Sequence, residues 1–371
     1  MQLSDEELID WLRLIRSDNI GPKTFQSLVA QFGTAANAVD ALPELARRSG
    51  KLFIRIPDKS EAEKELALAR LSGITFIPSC DERYPSLLRE IDTAPPLLTM
   101  KGDMQALHRP MVAIVGSRNA SAAGLRMTER LARQLGEAGF TVVSGLARGI
   151  DTKAHQASLV RGTIAVIAGG HMKVYPSQNI PLADAIVDNG GLVISEMPLN
   201  WEPRARDFPR RNRIVSGLSY GVVVVEAAKR SGSLITANLA LDQGREVFAV
   251  PGSPLDPRAE GPNELIRQGA ILCGSTEHII EALEPVLGLG RLSAQKQEAS
   301  LPEHSELLTD HLPSPQETEK VLQFLSPVPT SVDDIVQMSG LSFRVIQTAL
   351  LELELTGRLE RSAGNRVALS A

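Results

Sequence analysis

MVAIVGS (111–117) opens a series of short apolar runs: FTVVSG (140–145), TIAVIAGG (163–170), GLVISE (191–196), YGVVVVEA (220–227), EVFAVPG (246–252) and AILCG (270–274). The runs are rich in β-branched residues, apolar throughout rather than alternating, and most close on Gly or Ser. Helix-length segments such as Ser121–Ala138 and Ile150–Val160 separate them. A strand buried on both faces has no polar side, so the pattern predicts a mostly parallel sheet covered by helices on both sides. The fold class is α/β, a doubly wound Rossmann-like domain over residues 76–285. Such sheets hold ligands beyond the carboxyl ends of their strands, and the Gly, Ser and Arg residues fall there.

The flanks differ. Over residues 1–75, Leu8, Trp11, Leu12 and Ile15 fall at helical spacing. The turn Asn19-Ile20-Gly21-Pro22-Lys23 follows, then Phe25, Leu28, Val29 and Phe32. This reads as a helix-hairpin-helix, whose turn amides can meet a phosphate, or more economically as a plain helical hairpin. Residues 286–315 turn polar and aperiodic and read as a linker. Residues 316–371 carry three helical patterns and a hairpin around Gly364-Asn365, the outline of a winged helix. Its recognition helix, SFRVIQTALLELEL (342–355), sets one Arg against Glu352 and Glu354, which suits a protein contact at least as well as duplex DNA.

Composition narrows the classes. The 371 residues have a formal net charge of −5, with 43% hydrophobic and 4% aromatic residues. Cys80 and Cys273 are far apart, and the six histidines have no metal-ligand spacing, so neither a disulfide framework nor a metal centre is expected. The first residues lack the basic-then-apolar order of a signal peptide and no apolar run approaches ~20 residues, which predicts a cytoplasmic protein without a membrane partner.

Against this acidic background stands EPRARDFPRRNR (202–213), five arginines around Phe208. Arginine forks suit phosphate oxygens and an exposed Phe can stack on a base. On a helix Arg210 and Arg213 share a face while Arg211 points elsewhere, so some of the five should pair with Glu196, Glu202 or Asp207. Other strand ends carry anion-receptive turns: Gly116-Ser117-Arg118, Ser144-Gly145 through Gly149, and Ser231-Gly232-Ser233. Lys173 adds a charge after the third run, His171 reads as a polar loop residue, and Asp151 as a helix cap. No P-loop, dinucleotide fingerprint or nucleophile elbow occurs, so catalytic residues and cofactors are both expected to be none.

Five motifs in order, GSR (116–118), SGLARGID (144–151), FPRRNRIVSGLS (208–219), SGSLITA (231–237) and GREVFAVPG (244–252), make the chain resemble the bacterial DNA processing protein A (DprA, or Smf) family over essentially its whole length. The resemblance implies single-stranded DNA binding, protection of incoming strands in natural transformation, loading of the RecA recombinase, a homodimer formed through the Rossmann-like domain, and no chemical turnover. It places Gly116, Ser117, Arg118, Lys173, Phe208, Arg211, Asn212 and Arg213 at the DNA. With them the turn residues Ser144, Gly145, Gly149, Ser231, Gly232 and Ser233 complete the candidate set. The loop Gly170-His171-Met172-Lys173-Val174-Tyr175-Pro176 departs from the family's frequent Gly-Leu-Asp before Tyr-Pro. Leu265, Ile266 and Leu272 in NELIRQGAIL (263–272) are candidate dimer contacts, or else core. Two rivals stand beside this reading. One is a nucleoside-monophosphate hydrolase using Glu226, though its PGGxGTxxE-type loop is missing. The other is a structural nucleoprotein that binds duplex equally well.

Overall fold

The computed structural model describes residues 3–48, 53–288, 314–325, 330–355, 359–362 and 366–369. The chain divides into two units, residues 1–296 and 297–371. The first begins with helices α1 (Asp5–Ile15), α2 (Pro22–Phe32), α3 (Ala35–Arg48) and α4 (Lys59–Leu71). Ser4 and Glu7 form a reciprocal capping box on α1, and Pro22 starts α2 where no intrahelical donor is needed. After them come β1 (Ile74–Pro78), α5 (Ser86–Arg89), β2 (Leu97–Gly102), β3 (Met111–Val115), α6 (Ala122–Glu137), β4 (Thr141–Ser144), α7 (Ile150–Ser158), β5 (Thr163–Val166), α8 (Ile180–Asp188) and β6 (Leu192–Ser195). The unit ends with α9 (Asp207–Gly217), β7 (Gly221–Val224), α10 (Gly232–Asp242), β8 (Glu246–Ala249), α11 (Glu260–Arg267), β9 (Ile271–Leu272) and α12 (Thr276–Leu287).

All seven apolar runs are strands of one nine-stranded sheet, ordered β1-β2-β6-β5-β4-β3-β7-β8-β9. Within each strand successive side chains enter different cores. Ala113, Val115, Val222 and Val224 pack on one face, while Val112, Ile114, Val223 and Phe248 pack on the other. This is why the runs do not alternate in polarity. From β3 the chain winds outward to β6, then returns to the other side of β3 as β7. The reversal leaves a crevice between β3 and β7 at their carboxyl ends.

Two strands were not anticipated. β1 and β2 are antiparallel, paired Ile74↔Lys101 to Pro78↔Leu97, and β2 joins β6 with Thr99 opposite Ser195. The expected helical boundary at residue 75 therefore cuts through β1. The N-terminal helices join the sheet at this edge: Ile9, Leu12, Leu66 and Ala69 share a core with Phe76, Leu97 and Leu199. Arg16 pairs with Glu65 at 3.2 Å and donates to the Glu196 carbonyl at 3.0 Å.

Of the expected linker, residues 289–313 lie outside the described residues, while Val286 and Leu287 belong to α12. The second unit contains α13 (Pro315–Gln323), β10 (Thr330–Ser331), α14 (Val332–Ser339), α15 (Phe343–Leu355), β11 (Leu359–Ser362) and β12 (Arg366–Leu369). Its three-stranded sheet is ordered β10-β12-β11, and Val321, Val332, Ile335, Ile346, Leu350 and Val367 form its core. This is the winged-helix arrangement; its Gly364-Asn365 turn lies outside the described residues.

Candidate nucleic-acid interface

The loops after β3, β4 and β7, with the first turns of α9, enclose a cleft of about 720 Å³ at the β3/β7 crevice. Ten of the fourteen anticipated DNA residues line it: Gly116, Ser117, Arg118, Gly145, Phe208, Arg211, Asn212, Ser231, Gly232 and Ser233. Gly116 is required for close approach, since a Cβ there would stand 2.6 Å from Ile150 on α7. Ser231 caps α10 by accepting from the Ser233 amide, which aims that helix's positive end at the cleft.

The rim is an aromatic–cation stack. The half-buried Phe208 ring meets Tyr175 edge-on at 5.6 Å, and the Arg118 guanidinium lies 5.4 Å from its centre. Arg118 is exposed and, among the described residues, has no carboxylate within ion-pair distance. Its fork is therefore free for an anion while the ring holds it in place.

The floor is built differently. Arg211 is 5% exposed. It donates to the Gly145 carbonyl at 2.5 Å and to the Val166 carbonyl, spanning the ends of β4 and β5. Burial pushes its guanidinium down to about 10, with Asp151 opposing that shift. Asp151 is itself buried and accepts from the Gly145 and Ala147 amides at 3.1 and 3.3 Å. Burial raises the Asp151 carboxyl, and Arg211 counters it. Read from sequence as a phosphate grip, Arg211 is a tie beam whose Nη1 is committed to carbonyls. Read as a simple cap, Asp151 instead folds the β4–α7 loop onto itself.

Four expected contacts lie elsewhere. Arg213 is 7% exposed and paired with buried Glu196 at 2.5 Å; Glu196 also holds Arg210 at 3.1 Å. Arg213 is therefore held in an internal ion pair and is not displayed on the cleft wall. Ser144 is fully buried, its hydroxyl donating to the Ile114 carbonyl at 2.6 Å, because the strand end faces the sheet interior. Gly149 lies outside the cleft wall; its φ of +77° lets the chain pass over the Ser117 carbonyl. Lys173 is exposed but does not line the cleft. His171 is no open loop residue: it bonds to the Thr99 hydroxyl at 3.1 Å, and burial pushes its imidazole down to about 4.

Of the carboxylates proposed to pair with the arginine cluster, Glu196 does so. Asp207 instead accepts from the Trp201 indole at 2.9 Å and the Arg204 amide at 2.8 Å. Glu226 holds the Ser121 amide at 2.9 Å and its hydroxyl at 2.5 Å, anchoring the start of α6. Both of its oxygens are thus engaged. Leu265 is 5% exposed in the main core, with Ile266 packed against that core, so the first is no dimer contact; Leu272 on edge strand β9 is 45% exposed. Sequence reasoning passed over Tyr175 and Arg230, both at the cleft or its rim, while Thr236 of the SGSLITA motif also lines the cleft. Only Tyr175 carried a signal, as one of three tyrosines in a chain poor in aromatics.

Fold and site together define a Rossmann-like protein with a switch-point cleft, flanked by a helical and a winged-helix module. The chain belongs to the DNA recombination-mediator protein A family, known as DprA or Smf: that family's model matches residues 75–284. A DprA-like N-terminal helix-hairpin-helix domain matches 5–67 and a DprA winged-helix domain 306–365, which selects the helix-hairpin-helix of the two readings of residues 1–75. Protein Smf of Escherichia coli (strain K12) is 39% identical over 366 residues, covering 97% of this chain and 95% of its own. DNA processing protein DprA of Bacillus subtilis (strain 168) is 48% identical over 221 residues, 59% of this chain and 74% of its own. The structure of DprA from Streptococcus pneumoniae superposes with a TM-score of 0.61 at 36% identity, covering 76% of this chain and 98% of that one. DNA processing protein A from Helicobacter pylori, whose structure is described for its single-stranded DNA binding mode, gives a TM-score of 0.52 at 30% identity over 57% of this chain and 95% of that one. Among the described residues no helix is long and apolar enough to cross a membrane.

Proposed function

We propose that the cleft seats single-stranded DNA and that the protein acts as a cytoplasmic, cofactor-free mediator, protecting incoming strands and passing them to the RecA recombinase during natural transformation. The observation that carries this reading is the Arg118–Phe208–Tyr175 stack at the cleft rim, which joins a base platform to an unpaired fork. Duplex DNA keeps its bases stacked inside and has none to offer Phe208, so single strands are preferred. Base stacking is worth ~1–3 kcal/mol, and Phe208→Ala should weaken single-strand binding about tenfold or more by fluorescence anisotropy. The same variant should lose any acceleration of RecA filament growth. Equal affinity of the wild type for single strands and duplex, or full affinity in the variant, would refute the assignment. The hydrolase alternative gains nothing from Glu226, whose oxygens hold α6.

The same reading includes a homodimer, formed where β9 ends the sheet and presents Leu272. An unpaired strand edge with an exposed leucine is a ready pairing surface. Leu272→Arg should convert a dimer to a monomer in sedimentation equilibrium; an unchanged mass would place the interface elsewhere.

A further inference from the structure

The cleft continues past Phe208. A small recess lined by Arg118, Arg148, Tyr175, Pro176 and Phe208 shares Arg118 and Phe208 with the main cleft. Beyond Arg148 the chain passes Gly149, which borders a separate groove of about 510 Å³ between α6 and α7. Because these helices follow the neighbouring parallel strands β3 and β4, both begin at the groove's mouth; α7 turns its positive end toward it, while Glu226 occupies that of α6.

The charges along this route are predominantly basic. Arg118, Arg126 and Arg148 are exposed, and none has a carboxylate within ion-pair distance among the described residues. Lys153 also lines the groove, paired with Glu129 at 2.8 Å, and Arg133 acts on the same carboxylate. The other acids of α6, α7 and the loop between β4 and α7 are Glu137, at the far end of α6, and Asp151, buried in the cleft floor; from outside these elements Glu226 is tied down on the start of α6 by the Ser121 amide and hydroxyl. In a chain of net charge −5 this is a local basic path. The groove has no aromatic lining, so it offers bases nothing to stack on. Its arginine, lysine, threonine and glutamine side chains suit sugar and phosphate instead.

We propose that the α6/α7 groove is a second binding site, a backbone track that takes the phosphates of nucleotides flanking those in the cleft. The proposal rests on the cleft being a single-strand seat. Arg148 bridges the two sites, and Arg126 and Lys153 hold the strand as it leaves.

Strand length separates the two sites. Oligothymidylates of about 6 and about 20 nucleotides, one near the lower end of usual single-strand site sizes and one beyond the upper end, are titrated against the full chain at several salt concentrations. A longer strand gains affinity simply by offering more registers, but only added phosphate contacts steepen the salt dependence, by roughly 0.7 log units for each one. The wild type should show a steeper slope for the longer strand. The double variant Arg126→Glu, Lys153→Gln should reduce that slope toward the short-strand value while leaving short-strand affinity unchanged. Arg126→Ala, which keeps the Lys153–Glu129 pair, should give an intermediate slope and guards against a folding defect. Slopes equal for both lengths in the wild type, or an unaltered long-strand slope in the double variant, overturn the track alone. Equal loss on both lengths also overturns it, because the two cations would then act on the cleft. A wild type that binds neither length sinks the cleft reading and the track with it.

Discussion

Replacing Arg211 by alanine should cost about 3–5 kcal/mol of stability, the usual result of removing one member of a buried charge pair. The guanidinium is the donor for the Gly145 and Val166 carbonyls and the counter-charge for buried Asp151. Its loss strands two acceptors and one carboxylate in the interior. The sign of the pH effect follows. Burial already holds the Asp151 carboxyl above its ordinary value, and without Arg211 it rises further. A carboxyl whose folded-state value is raised costs stability once pH exceeds the unfolded value, and that cost is relieved as pH falls. The variant's deficit in urea unfolding should therefore shrink on acidification. Arg211→Lys should rescue little, since one ammonium cannot reproduce a planar fork between two strand ends. A deficit below about 1 kcal/mol would return Arg211 to the solvent-facing phosphate role read from sequence.

The second large effect belongs to Glu196. It meets Arg213 and Arg210 at once, and Arg213 Nη1 has no hydrogen-bond partner among the described residues. Glu196→Ala should leave the Arg213 cation buried and unpaired, again at about 3–5 kcal/mol. The double variant Glu196→Ala, Arg213→Met should recover much of that loss, because replacing both members of a buried pair by apolar groups is often near neutral. Single-strand affinity of the double variant should match the wild type. Reduced affinity with unaltered stability in Arg213→Met alone would show that Arg213 reaches DNA after all.

These two arginines mark the limit of reading charge from a sequence. The seven apolar runs were legible as strands because burial on both faces leaves no other residue type in them. β1 and β2 were missed because ITFIP and LLTMKG adjoin prolines and form an antiparallel pair at one end of the sheet, outside the alternation of apolar runs and helices. For the site, Phe208 and Arg118 were legible, an aromatic and a strand-end cation with few apolar neighbours in sequence. Arg211 and Arg213 were not. The carbonyl partners of Arg211 lie at the ends of β4 and β5, far along the chain; Glu196 was foreseen as a partner of the cluster, but a helix of arginines looks equally basic whichever side faces water, so the arginine it takes inward was not. Leu265 failed for the converse reason: α11 is too short for its pattern to tell a core-facing stripe from an exposed one.

The Arg211 beam also sets when the cleft can exist. It joins residues 66 and 45 positions apart, and the α10 wall lies further along the chain. A chain leaving the ribosome would have no floor until α9 had docked on β4 and β5, and no complete cleft before Ser233 had emerged. No fragment confined to the first half of the sheet should hold a partial site. Split between β5 and α9, the two pieces should regain strand binding only on reassociation, making occupancy of the cleft a reporter of completed folding.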